Sequence, residues 1–166
     1  EMSRGLGDVY KRQGFFYEGV FMIGLLQRVS QANVTVNGEV IGAIDKGLLV
    51  LVCAQKEDQD ANVEKLVKKI LNYRIFEDEN GKMNKSVTDV NGELLIVSQF
   101  TLAADTSRGL RPSFTPAASP ELGLRLYERF VELATQSGLK VQTGRFGVHM
   151  KVSLVNDGPV TIWLEV

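Results

Sequence analysis

The chain has 166 residues, 44% of them apolar and 23% charged, proportions that fit one globular domain and exclude a disordered or collagen-like polymer. Nineteen basic residues against twenty acidic ones leave a net charge of −1, too little for a general nucleic-acid binder, so a nucleic-acid partner would need a local patch. No run of 18 apolar residues is present, and one cysteine (Cys53) with one histidine (His149) excludes an internal disulfide and falls short of the about four Cys/His ligands of a structural zinc site. A soluble, cytoplasmic domain without membrane span, metal or cofactor is expected.

Residues 1–21 carry four glycines and neither a helical period nor a sustained strand alternation. They also lack the apolar core and cleavage site of a secretory signal. A regular pattern starts at Met22, so 1–21 reads as a non-native or disordered extension and 22–166 as the single domain. Ile23 to Val29 is an apolar strand. Val34–Val36 and Val40–Ile44 flank Asn37-Gly38, a pair that tolerates positive φ, and predict a β-hairpin. Gly47 to Cys53 is apolar on both faces and too short for most helices, which describes a central strand.

The period then changes. Over Asp58–Tyr73, Val63, Leu66, Val67, Ile70 and Leu71 form one helical stripe, with Asp58 and Asp60 near the start and Lys68, Lys69 and Arg74 near the end, as the dipole favours. Turn signals at Glu79-Asn-Gly81 and Asn91-Gly92 flank a short segment around Ser86–Val90, and Glu93–Phe100 reads as a strand. Ser119 caps a second helix with Pro120 at its first position and Glu121 in its first turn. Leu122, Leu126, Phe130, Leu133 and Ala134 form its apolar face, and Gly138 ends it. Two last strands, Met150–Val155 and Val160–Val166, are joined by Asn156-Asp-Gly-Pro159. Hairpins dominate, so the fold class is α+β, a mainly antiparallel sheet with two packed helices.

Ser98 and Thr101 stand at the end of a strand, where a hydroxyl can be presented at a sheet edge. A serine-type relay there would have to use His149, the single imidazole. Asp89, Asp105 and Asp157 are scattered without ligand spacing, so no divalent-ion site is expected. Arg108-Gly-Leu-Arg111, with Lys82 and Lys85, either holds a few phosphates or forms a solvated loop. The Gly158-Pro159 bond is open to both isomers, cis being the rarer at about 5–6% of such bonds.

Two separated motifs carry a resemblance. Ser98-Gln-Phe-Thr-Leu102, followed by Ala104-Asp105-Thr106 and Arg111-Pro-Ser-Phe114, resembles the first signature of the D-aminoacyl-tRNA deacylases (formerly D-tyrosyl-tRNA deacylases). Asn156-Asp-Gly-Pro-Val-Thr161 resembles the second, the Gly-cisPro motif. Gln27-Arg-Val29, Arg74-Ile-Phe76, Gly81-Lys-Met-Asn84 and Thr143-Gly-Arg-Phe146 add to it, and the resemblance runs from Met22 to Val166.

The resemblance implies the fold of that family and hydrolysis of the ester joining a D-amino acid, or mischarged glycine, to the terminal adenosine of tRNA. It implies a homodimer in which the Gly158-Pro159 of one subunit enters the partner's pocket. There its main-chain carbonyls hold the substrate amino group and leave no room for an L side chain. Ser98, Gln99, Phe100 and Thr101 line the pocket around the terminal adenosine and the scissile ester. Thr101 assists without being an obligate nucleophile, because catalysis in similar proteins relies on the substrate's ribose 2′-hydroxyl rather than on an essential side chain. Met150 lines the same pocket, and Arg28 supports the Gly-Pro loop across the interface. The family usually has an acid where His149 stands, which counts against a catalytic role for that residue. Two rival readings remain: an esterase using Ser98 or Thr101 with His149, and a non-catalytic RNA-binding dimer.

Overall fold

The computed structural model describes residues 21–166, so the expectation for residues 1–20 lies outside the described residues. The order is β1 (Ile23–Val36), β2 (Glu39–Ile44), β3 (Gly47–Cys53), α1 (Asp60–Asn72), β4 (Phe76–Glu77), β5 (Met83–Lys85), β6 (Glu93–Ser98), α2 (Pro120–Thr135), β7 (Val141–Thr143) and β8 (Lys151–Glu165). The fold is α+β. A six-stranded sheet runs β2-β1-β3-β6-β7, with β8 paired to β1, and β4 and β5 form a separate ribbon.

The hairpin turns where expected: Asn37 (φ 50°) and Gly38 (φ 80°) are both left-handed, and β2 returns antiparallel to β1. The expected strand at 23–29 and the first hairpin strand are one continuous β1. β8 likewise replaces two expected strands and runs antiparallel along β1 from Ile23↔Glu165 to Thr35↔Lys151.

Two pairings depart from the hairpin pattern. β3 and β6 are parallel, and so are β6 and β7. Each pair is separated in sequence by a helix, the crossover that parallel neighbours require. β7 and the short β4–β5 ribbon are additions to the expected strands, while Phe100–Ala103, partly expected as strand, is a 3₁₀ turn.

The apolar stripes settle which layer covers which. Alternation along β3 sends Leu48, Val50 and Val52 toward the helices, where they meet Val63, Leu66 and Ile70 of α1 and Leu126 and Phe130 of α2. Leu49 faces the opposite way, into a second cluster with Val29, Val34, Ile44, Leu95 and Val97. β3 is therefore buried on both faces, as a continuous apolar run demands. α1 starts at Asp60 with Gln59 and Asn62 forming a reciprocal capping box, so Asp58 lies before the cap, buried at 3% exposure. Ser119 caps α2, its Oγ accepting from the Leu122 N–H at 3.2 Å, and Gly138 (φ 86°) turns the chain after it. Leu71, Leu122 and Leu133 of the expected stripes are only half-buried, and Tyr127 joins the buried face of α2 instead.

Candidate functional site

Parallel β3 and β6 end side by side, and beyond their carboxyl ends lies a cavity of about 520 Å³, the place where parallel strands characteristically receive ligands. β3 contributes Val52 and Cys53, and β6 contributes Val97 and Ser98, followed by Gln99 and Phe100. A main-chain bond from the Gln99 N–H to the Val52 carbonyl, 2.8 Å, holds this corner. Ser119, Pro120 and Gly123 bring the first turn of α2 to one wall, so the positive end of its dipole faces the cavity. Phe146 to Met150 adds to the lining, with Phe146 beside Gly123 and Tyr127 of α2.

Four expected site residues therefore meet: Ser98, Gln99, Phe100 and Met150. Met150 fits because Gly144 has no side chain. A Cβ there would stand 2.6 Å from the Met150 Sδ, which also accepts from the Arg145 N–H at 3.4 Å. Thr101 is exposed beside the cavity, its Oγ1 accepting from the Gln99 Nε2 at 2.6 Å. His149 is exposed at the cavity rim, and among the described residues no hydrogen bond joins it to Ser98 or Thr101. Tyr127, Phe146 and Met22 also line the cavity and were not singled out from sequence. Only Phe146 had a signal, its place in Thr143-Gly-Arg-Phe146.

Cys53 and Tyr127 of the cavity are held neutral near pH 7. Burial pushes the Cys53 thiol up to about 11, with the nearby Asp58 charge adding to it against a main-chain hydrogen bond. Burial likewise raises Tyr127 to about 12, and its hydroxyl donates to the Ile96 carbonyl at 2.7 Å. Neither a thiolate nor a phenolate is available, and among the described residues no carboxylate lines the cavity. Donors and shape are what this site offers.

Arg28, Gly158 and Pro159 stand apart from this chain's own cavity. Gln27 pairs with Thr161 and Val29 with Asn156, so residues 157–160 bulge out opposite Arg28 alone. The Gly158–Pro159 bond is cis, and Gly158 has φ +142°. The Asn156 side chain clamps the base of the bulge: its Oδ1 accepts from the Val160 N–H and its Nδ2 donates to the Thr161 Oγ1, both at 2.8 Å. Arg28, only 9% exposed, donates from Nε to the Asp157 carbonyl at 2.9 Å and from Nη1 to the Ile75 carbonyl at 2.8 Å. Arg28 thus braces the loop of its own chain, rather than one across an interface as expected, and ties the bulge to the chain that follows α1, while Gly158 and Pro159 are exposed.

The chain matches the model of a family described as D-Tyr-tRNA(Tyr) deacylase over residues 25–165. It is 59% identical over 145 residues to a D-aminoacyl-tRNA deacylase of Shewanella amazonensis, covering 87% of this chain and 100% of that one. Against the D-aminoacyl-tRNA deacylase of Ralstonia nicotianae the identity is 60% over 150 residues, covering 87% and 90%. Among solved structures, a c-Myc DNA Unwinding Element Binding Protein superposes with TM-score 0.82 at 44% identity, covering 87% and 98%. A probable eukaryotic D-amino acid tRNA deacylase superposes with TM-score 0.79 at 18% identity, covering 88% and 100%, a likeness of fold. With the family model spanning β1 to β8 and close relatives matched over nearly their whole length, the chain belongs to the D-Tyr-tRNA(Tyr) deacylase family.

Proposed function

We propose that this chain hydrolyses the ester of D-aminoacyl-tRNA, releasing the D-amino acid and leaving L-aminoacyl-tRNA intact. The observation that carries the reading is identity of 59–60% to D-aminoacyl-tRNA deacylases over 87% of the chain. The cavity supports it. Its apolar walls and few polar groups suit a nucleoside bearing an amino acid, and about 520 Å³ lies within the range of small-ligand sites.

In this reading Ser98, Gln99 and Phe100 hold the terminal adenosine and the ester, with Met150 packing against them. Water attacks the ester carbonyl, and the ribose 2′-hydroxyl of the substrate assists the proton movements. The neutral Cys53 and Tyr127, and a Thr101 hydroxyl engaged by Gln99, support a mechanism without an enzyme nucleophile. Positioning and main-chain donors aimed at the developing oxyanion supply the rest of the catalysis.

Discrimination belongs to Gly158-Pro159. The bulge is exposed, braced by Arg28 and outside its own cavity. That supports a homodimer in which each bulge enters the partner's pocket and admits the substrate by its main chain. A filter of main chain excludes an L side chain sterically and is blind to which D side chain is present, so glycine mischarged on tRNA also passes. The reaction belongs in the cytoplasm, where tRNA is charged. The 44%-identical DNA Unwinding Element Binding Protein favours a second reading, nucleic-acid binding without turnover.

Matched D- and L-aminoacyl-tRNA, with a simple ester as control, separate the readings. Release from the D form alone is expected. Hydrolysis of the simple ester would support an esterase using His149, and binding without release would support the second reading.

A further inference from the structure

A cavity of about 520 Å³ holds a nucleoside and its amino acid but not the chain of nucleotides leading to them. That chain must leave past the rim, and the rim has a distinctive composition. Phe100 lines the cavity yet is 57% exposed, and Phe114 packs edge-on against it with ring centroids 5.1 Å apart, itself 37% exposed. From Phe114 a loop returns to Asp105. Its base is fixed by paired main-chain bonds, Asp105 N–H to the Ser113 carbonyl at 2.7 Å and Ser113 N–H to the Asp105 carbonyl at 3.0 Å. The Asp105 Oδ1 also accepts from the Ser107 N–H and Oγ at 3.0 and 2.6 Å.

This rigid base projects Arg108, Leu110 and Arg111 into solvent, all exposed. Among the described residues neither guanidinium is in an ion pair or a hydrogen bond, whereas Lys85, also a candidate phosphate contact in the sequence, is paired with Glu79 at 3.4 Å. A fully exposed leucine between two unpaired arginines, three residues before one ring of a partly exposed aromatic pair, is a poor arrangement for mere solubility. It has the composition of a seat for single-stranded nucleic acid, in which rings stack bases and guanidiniums meet phosphates.

We propose that Phe114 and the Arg108–Arg111 loop form a second subsite, binding the unpaired nucleotides immediately 5′ of the terminal adenosine. The inference rests on the deacylase reading for its substrate and adds the part of that substrate outside the cavity. Phe100 joins the two subsites. The chain's net charge of −1 makes a local seat the available route to an RNA partner, since no overall field draws one in.

The test compares whole uncharged tRNA with the same tRNA lacking its unpaired 3′ nucleotides, by fluorescence anisotropy across roughly 50–200 mM salt. The shortened tRNA is expected to bind about tenfold more weakly or worse. In Arg108→Ala/Arg111→Ala the salt slope for whole tRNA should flatten by about 1.4, at about 0.7 per single-strand phosphate. Phe114→Leu should weaken whole tRNA by about fivefold or more, the loss of one stacked base, with little effect on the shortened form.

In turnover, the loss caused by the arginine variant should be about tenfold larger on D-aminoacyl-tRNA than on D-aminoacyl-adenosine. Equal loss on both substrates would show that the loop merely supports the cavity, and an unchanged slope or equal binding of shortened tRNA would remove the subsite. Duplex DNA bound as tightly as tRNA would also overturn the proposal. A wild-type chain that cleaves neither D substrate would defeat the deacylase reading, while the binding comparison would still decide this one.

Discussion

Arg28→Lys isolates the brace behind the Gly158-Pro159 bulge. The guanidinium spans two main-chain carbonyls that no other element links, Asp157 at the bulge and Ile75 after α1. A lysine keeps the charge but has one nitrogen at the end of a flexible stem, so it reaches one carbonyl and abandons the other. Hydrogen bonds to a charged group contribute about 1.5–3 kcal/mol, and the substitution should destabilise the protein by about that amount in urea denaturation. Arg28→Leu loses both bonds and should cost about 3–5 kcal/mol, a large part of a typical domain's stability. The functional effect should be distinct from the stability loss. With the protein still folded, a loosened bulge should cut D-aminoacyl-tRNA hydrolysis by about 10–100-fold, since about 1.4 kcal/mol of misplacement is tenfold. It should also raise hydrolysis of L-aminoacyl-tRNA relative to D. Deacylation by Arg28→Lys at the wild-type rate and selectivity, beside a full loss of stability, would refute the assignment of Arg28 to the bulge's position.

Asp58→Asn tests a buried charge. Burial raises the Asp58 carboxyl from 3.8 to about 6 against the opposing Gln55 N–H, and its Oδ1 is buried without a partner. A folded-state pKa above the unfolded one means the native state holds the extra proton between about 4 and 6, so this group makes stability fall as pH rises through that window. Near pH 7 it costs about 2 kcal/mol once partial solvent screening is allowed for. The asparagine variant should be more stable at pH 7–8, with the advantage gone below about pH 4 in urea midpoints, and parallel profiles would contradict the assignment. His149→Ala should retain most D-aminoacyl-tRNA hydrolysis, whereas a drop of about 10²-fold or more would identify an imidazole base. Thr101→Ala should slow turnover without abolishing it, and mass spectrometry of quenched reactions should find no acyl-Thr101. Cys53, raised to about 11 by burial, should resist alkylation at neutral pH until the protein unfolds, and rapid native labelling would show that the cavity exposes it.

Local chemistry was legible wherever a few adjacent residues decide the outcome. The Asn37-Gly38 turn, the Ser119-Pro120 cap and the double-faced burial of Gly47–Cys53 all follow from backbone preference or from an uninterrupted apolar run. The parallel order β3-β6-β7 was not legible, because pairing direction depends on which distant strand a helix returns the chain to. Three-residue β7 carries too short a period to be read at all. β8 misled for a different reason. Asn156-Asp-Gly-Pro159 has the composition of a loop between strands, yet β1 pairs on both sides of it, so the sheet absorbs it as a bulge.

That bulge explains why the candidate site was only half legible. Ser98 to Thr101 sits where one strand ends, so sequence adjacency already groups those side chains. Tyr127 in the middle of α2 and Phe146 before β8 also line the cavity, and apolar periodicity cannot tell a buried helix face from a cavity lining. Arg28 was harder still. Its partners are 129 and 47 residues away, and a charged residue in a strand reads as outward-facing until the fold brings one carbonyl from the bulge and one from the chain after α1 to it. The same bulge leaves Gly158, at φ +142°, where an added Cβ would stand 2.7 Å from the Val160 Cγ2 and 3.1 Å from Arg28 itself. Glycine at 158 is required first by this φ and by Val160, and the Arg28 guanidinium crowds the same spot. The resemblance names both residues, but only the folded bulge shows that they meet.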